Sequence, residues 1–120
     1  MPLRESLNTI VQSVDGALAA VVMAYDGIPI DEVTVEQSEF DMQLLTVEYA
    51  TVLKDIKRAV DVIKMGNLEE VSILTTRTCV VVRVLSDDLF AALIMCRDGN
   101  IGKGRYMLKL KSFDVIRELS

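Results

Sequence analysis

Histidine and tryptophan are absent from this 120-residue chain. Without histidine the commonest general base and the commonest metal ligand are both missing, so nucleophilic triads built on imidazole are excluded. Aromatic residues make up only 5%, so a core must be assembled from Val, Leu, Ile, Ala and Met. There are two cysteines, Cys79 and Cys96, both inside apolar strand-like runs and not in a CxxC spacing. That setting suits buried small hydrophobes rather than metal ligands or a redox pair, and a disulfide would need the two strands to align them. Long apolar runs are also lacking. The longest uncharged run, residues 16–25, falls well short of the roughly 18–20 residues a membrane span needs. The start, MPLRESLN, carries an acid and polar residues where a secretory signal has a basic stretch and then an apolar one. A cytoplasmic protein with no membrane span is expected.

Basic residues are missing from one long stretch of the chain. Residues 5–53 hold nine acids (Glu5, Asp15, Asp26, Asp31, Glu32, Glu36, Glu39, Asp41 and Glu48) and no Lys or Arg. The remainder carries all thirteen basic side chains against nine acids, within a net charge of −5. An acidic chain with no aromatic-interleaved basic run argues against nucleic acid as a partner. The asymmetry fits electrostatic complementarity with another protein, and a solvated acidic face fits it equally.

What is present is apolar. At 51% hydrophobic residues and a mean hydropathy of +0.34, the chain has material for one continuous core, and residues 1–120 read as a single domain. Leu3, Leu7, Ile10, Val11 and Val14 follow the spacing of one helical face, stopped by Asp15-Gly16, and define helix 1. Residues 16–31, GALAAVVMAYDGIPID, read as two apolar runs hinged at Asp26-Gly27, a hairpin. Strand 1, Ala17–Ala24, is apolar at every position, as expected where both sheet faces are covered. Strand 2, residues 28–30, is short or at an edge because of Pro29.

The acidic stretch from residue 31 ends at Ser38, which could cap helix 2, with Asp41 completing a capping box. Helix 2 is expected over residues 40–65, with Gly66-Asn67 as its stop. Its length would be about 39 Å at the usual rise. Leu45, Tyr49, Val52, Leu53, Ile56, Ala59, Val60 and Ile63 form a broad stripe for the sheet. A thinner line on the nearly opposite side, Leu44, Val47, Thr51, Asp55, Arg58, Val62 and Met65, resembles a coiled-coil seam. Paired antiparallel with its copy, the central Asp55 and Arg58 could bridge across a two-fold axis; scattered surface apolars are the blander reading.

Three further strands, residues 70–75, 79–85 and 89–96, are joined by turn-length segments and form an antiparallel meander. Residues 100–119 read as helix 3, with Tyr106, Leu110, Phe113, Ile116 and Leu119 near one side.

Little here carries chemistry. The acid pairs Asp31-Glu32, Glu69-Glu70 and Asp87-Asp88 lie at strand borders or loops, and neighbours on an extended chain point to opposite sides. They fit solvated turn acids that discourage edge pairing. The loop Gly99-Asn100-Ile101-Gly102-Lys103-Gly104-Arg105 has the composition of a phosphate cradle. It matches neither GxxxxGK[ST] nor GxGxxG, and reads as a flexible lead into helix 3. The basic set Lys103, Arg105, Lys109, Lys111 and Arg117 could face an acidic partner, an anionic membrane surface or simply water. No catalytic, cofactor-binding or metal-binding residue is expected.

The pattern Gly16-Ala-Leu-Ala-Ala-Val-Val-Met with Asp26-Gly-Ile-Pro-Ile, and again residues 89–105 with Asp98-Gly-Asn-Ile-Gly, resembles the roadblock family. These are small dimeric modules related to dynein light chains and to bacterial partners of Ras-like GTPases. The resemblance covers essentially the whole chain and implies an α+β, profilin-like sandwich in the order α-β-β-α-β-β-β-α. Its five-stranded antiparallel sheet, ordered 2-1-5-4-3, lies between helix 2 and helices 1 and 3. It further implies a homodimer through strand 3 and helix 2. That would place Val71, Ile73 and Thr75 at the strand junction, and Leu44, Val47, Thr51, Asp55, Arg58 and Val62 at the helix junction.

The functional expectation from the resemblance is a non-enzymatic homodimeric regulator or adaptor of a small Ras-like GTPase, in polarity, motility or signalling. Some relatives accelerate hydrolysis by reshaping the GTPase site, so Arg58 is not expected to act as an arginine finger. A dynein-light-chain-like scaffold is the alternative. A small-molecule sensor is a third, disfavoured by the lack of polar residues in the sheet runs.

Overall fold

An eight-residue run without a charge, Ala17–Ala24, can only be satisfied as a strand covered on both faces, and it forms the inner strand β1. In the computed structural model, which describes residues 2–35 and 40–119, the elements follow in the order α1 (Pro2–Ser13), β1 (Ala17–Ala24), β2 (Pro29–Thr34), α2 (Met42–Ile63), β3 (Glu70–Leu74), β4 (Thr78–Val84), β5 (Leu89–Cys96) and α3 (Ile101–Leu119). The strands make one antiparallel sheet ordered β2-β1-β5-β4-β3. Order and fold class agree with the expectation.

Alternation along each strand divides the core in two. On one face Ala20, Val22, Val81, Ala91, Leu93 and Met95 pack with Leu3, Leu7 and Ile10 of α1, with Val14 just after it, and with Leu108 and Val115 of α3. On the other, Ala19, Val21, Val80, Val82, Phe90 and Ile94 meet Ala50 and Leu53 of α2. The helical face read for α1 is therefore the face that is buried.

β2 is longer than expected. Asp31 and Glu32 lie within it, and a bulge between Val22 and Met23 of β1 lets Pro29 stand opposite Met23 while Asp31 faces Val22. Only Asp31 and Val33 are half-buried in β2. An edge strand tolerates acids because its outward positions reach water, and here Asp31 also accepts a bond from Arg4 at 2.5 Å.

Helix α2 starts two residues later and ends two earlier than expected. Asp41 is itself the N-cap, its Oδ1 accepting from the amide of Leu44 at 3.0 Å; Ser38 lies outside the described residues. Lys64 closes the helix in the left-handed region at φ 53°, a conformation usually left to glycine. Cys79 and Cys96 are both free. Cys79 pairs in register with Met95 and Thr78 with Cys96, so the two thiols stand on opposite faces of the sheet. Burial pushes the Cys79 thiol above its ordinary range.

Candidate functional site

Two helical surfaces are left uncovered, and sequence periodicity assigned each of them incompletely. On α2, Leu44, Val47 and Val62 are exposed, as are Thr51, Asp55 and Arg58, and Met65 follows just beyond the helix. The seam read from spacing thus lies on the solvent pole. The stripe assigned to the sheet is only partly there. Leu53 is buried and Leu45, Tyr49, Ile56 and Val60 are half-buried, but Val52, Ala59 and Ile63 are exposed. The inward pole is set instead by Thr46, Ala50 and Leu53. Thr46 can occupy it because its hydroxyl bonds back to the carbonyl of Met42 at 2.9 Å, which hides a polar side chain in an apolar contact. The uncovered apolar surface of α2 is therefore wider than the seam, and Val52 at 45% and Ile63 at 59% exposure belong to it.

The two sheet edges differ in a way that bears on pairing. β2 carries Pro29, Asp31 and Glu32, the devices that keep an edge from recruiting another strand. β3 reads Glu-Val-Ser-Ile-Leu, charged only at its first residue. Its Val71 and Ile73 are half-buried on the α2 side of the sheet, and its outer edge has no neighbour among the described residues. Thr75, expected at the strand junction, lies one residue past β3. Its hydroxyl there accepts from the amides of Arg77 and Thr78 at 3.2 and 2.9 Å, which fixes the turn into β4.

One end of α2 borders an open groove of about 620 Å³ lined by Tyr25, Asp26, Lys54, Lys57, Arg58, Asp61, Asp87 and Asp88. Lys57 lies 3.9 Å from Asp61 and 3.8 Å from Asp87, and 6.0 Å from the centre of the Tyr25 ring. The Tyr25 hydroxyl is buried with no hydrogen-bond partner among the described residues. Desolvation, with the nearby Asp87 and Asp61 charges, pushes its pKa up to about 12.

The second uncovered surface is on α3. Tyr106, Leu110, Phe113 and Ile116, read from spacing as lying near one side of the helix, are on its exposed side, at 62%, 46%, 67% and 40%. The buried positions are Gly104, Leu108, Ser112 and Val115. Spacing shows that a helix has an apolar stripe without showing which side turns inward, and here small residues win the sheet. A Cβ on Gly104 would stand 2.5 Å from Met95 Sδ and 3.1 Å from Leu93 Cδ2, so the close approach of α3 to β5 uses the missing side chain. The glycine-rich loop leads into that helix. Asn100 Oδ1 accepts from the amide of Lys103 at 3.1 Å as a cap, and Gly16 and Gly99 pack backbone to backbone beneath it.

Among the described residues no group of three or more His, Cys, Asp or Glu could hold a metal ion. No helix there is long and apolar enough to cross a membrane. What the arrangement offers is docking surface.

Solved structures carry the same architecture. A roadblock/LC7 domain from Streptomyces avermitilis superposes with a TM-score of 0.80 at 15% identity, over 96% of this chain and 95% of that one. MglC from Myxococcus xanthus is 39% identical over 98% of this chain and 99% of its own, with a TM-score of 0.73. The chain belongs to the roadblock family. The gliding protein MglB from Thermus thermophilus shares the roadblock fold at a TM-score of 0.84 and 14% identity, over 97% of this chain and 87% of that one. No sequence model of a protein family matches the chain, and no curated protein does. In this roadblock chain the glycines at these positions have packing reasons, Gly16 against Gly99 and Gly104 against Met95.

Proposed function

We propose that this roadblock chain forms a two-fold homodimer through α2 and the outer edge of β3, and that the dimer regulates or tethers a Ras-like GTPase of a gliding-motility system without catalytic groups of its own. The observation that carries the pairing is the coincidence of two unsatisfied surfaces. α2 exposes Leu44, Val47, Val52, Val62 and Ile63, and β3 offers an edge free of charge along Val71, Ser72, Ile73 and Leu74. An isologous contact covers both at once, burying apolar area at about 25 cal/mol per Å² and pairing the edge. Asp55 and Arg58, midway along α2 and exposed, then fall near the axis, where each can meet the other's copy. The likeness at 39% identity to MglC, together with the fold shared with MglB, supports the motility setting.

Sedimentation equilibrium tests the pairing. The wild type should sediment at twice the 13.3 kDa chain mass, and Val62→Asp and Ile63→Asp should fall to the monomer value with unchanged circular dichroism. A monomeric wild type overturns the pairing. The GTPase role is tested by adding the dimer to a purified bacterial Ras-like GTPase and following binding and GTP turnover. Binding without a change in turnover leaves a scaffold, and no binding sinks the regulatory reading.

A further inference from the structure

The outward face of α3 has no role in the pairing. Tyr106, Leu110 and Phe113 recur at four and three residues along the 19-residue helix, which puts them on one line, and they are 46% to 67% exposed. Exposed Lys103, Lys109 and Arg117 stand beside that line. The two acids of α3 are engaged by neighbouring groups. Asp114 is ion-paired with Lys111 at 3.7 Å and with Arg117. Glu118 accepts from the hydroxyl of Ser6 on α1 at 3.0 Å. At the other end Arg105 is held by Glu70 of β3 at 2.6 Å. The outward pole is thus apolar at its centre and cationic at its rim.

That cationic rim is local, since the exposed Asp15 and Asp98 flank the start of α3 and Arg4 of α1 is paired with Asp31. α1, packed beside α3, carries one base and one acid, Arg4 and Glu5, and otherwise shows water neutral groups such as Asn8 and Gln12. The exposed Lys103 and Lys109 therefore offer a local cationic rim to an anionic surface.

We infer that the Tyr106-Leu110-Phe113 face of α3 is a docking surface for the anionic surface of a lipid bilayer. The ridge is a single exposed helix, and a surface that is flat or yields around it contacts its whole line of side chains together. A bilayer interface does both, taking Phe and Leu into its acyl boundary, leaving the Tyr hydroxyl at headgroup level and pairing Lys and Arg with lipid phosphates. The inference rests on the proposed homodimer for its strength. A sheet continued through β3 puts both α2 helices on one face and both α3 helices on the other, so two ridges reach one plane and bind with avidity. The α2 platform is then held facing away from the membrane, open to a partner.

Flotation of the full chain with vesicles tests this directly. Vesicles of phosphatidylcholine with about a third phosphatidylglycerol, against pure phosphatidylcholine, probe the charge requirement. The dimer should float with the anionic vesicles only. Lys103→Gln and Lys109→Gln, both at exposed positions, should each weaken binding about fivefold. Leu110→Ser with Phe113→Ser should abolish it while circular dichroism and sedimentation stay as in the wild type. Absence of flotation, equal binding to neutral vesicles, or binding indifferent to these substitutions overturns the proposal. So does a finding that the Leu110/Phe113 variant loses a larger oligomer instead, which would give the face to a second copy. Val62→Asp separates the two readings: a monomer that still binds anionic vesicles weakly keeps the α3 face, and a monomeric wild type that floats leaves it standing without the pairing.

Discussion

At Gly99 a Cβ would stand 2.6 Å from the carbonyl oxygen of Asp15, 3.1 Å from Gly16 Cα and 3.2 Å from the carbonyl oxygen of Cys96, all backbone atoms. Backbone cannot swing aside as a side chain does, so Gly99→Ala must displace the start of β1 from the exit of β5, where the amide of Asn100 bonds the carbonyl of Asp15 at 2.9 Å. The expected loss is about 1–3 kcal/mol, read as a fall of roughly 4 °C in Tm for each kcal/mol. Gly102 lies three residues on and would place its Cβ only against Asn100 Oδ1, at 3.9 Å. Because it sits in the first turn of α3 and is exposed, Gly102→Ala should raise stability by up to about 1 kcal/mol through helix propensity. Opposite signs from the same chemical change, measured by urea unfolding, would confirm that Gly99 is held by a backbone contact. Equal effects would refute it. In the sequence the two glycines are equivalent members of one glycine-rich loop, and only the approach of Asp15 separates them.

An element's inward side depends on which residues let it come close, and at this scale sequence and structure part company most clearly. The strands were legible because their apolar runs have no alternative: β1 and β5 begin and end at the residues expected. Helix α1 was legible because its Leu3, Leu7 and Ile10, with Val14 just after it, are both periodic and large. For α3 periodicity grouped Tyr106, Leu110, Phe113 and Ile116 without telling which way they turn; they lie outside, and Gly104, Leu108, Ser112 and Val115 lie inside. For α2 the capping signal was right in kind and misplaced by position: Asp41 caps the helix directly. Asp41→Ala should therefore cost about 1 kcal/mol, and Asp41→Ser should recover most of it. Thermal denaturation of the two variants checks this, and an Asp41→Ala protein as stable as wild type would show that the Leu44 amide finds another acceptor. The surface of α2 was half legible. The seam residues are exposed as read, while Val52, Ala59 and Ile63 were assigned to the sheet because an apolar arc wider than its buried strip looks the same in sequence as one buried throughout.

For the molecule as a whole, two groups of the β1–β2 hairpin, on opposite faces of the sheet, act on stability from opposite ends of the pH range. Asp31 of β2 is bonded by Arg4 of α1 at 2.5 Å, and that bond holds its pKa below the usual carboxylate value. A lowered folded-state pKa means the unfolded chain binds the proton more tightly. The contribution of Asp31 is therefore complete above its unfolded pKa of about 3.9 and is lost as pH falls through the lower folded value. Tyr25 acts in the other direction. With burial pushing its pKa up to about 12, the unfolded chain gives up this proton first, from a pKa of about 10. Stability is then lost as pH rises from about 10 through the folded value. Urea unfolding across this range should give a plateau with an acid limb that is shallower in Asp31→Asn and an alkaline limb that is shallower in Tyr25→Phe. Tyr25→Phe should not lower the plateau, since it removes a buried hydroxyl that has no partner among the described residues and a hydroxyl without a partner adds only its desolvation cost. A Tyr25→Phe protein that is destabilised at neutral pH would instead show that the hydroxyl is bonded, and would direct attention to the groove beside Lys57 and Asp87 as the place where its partner sits.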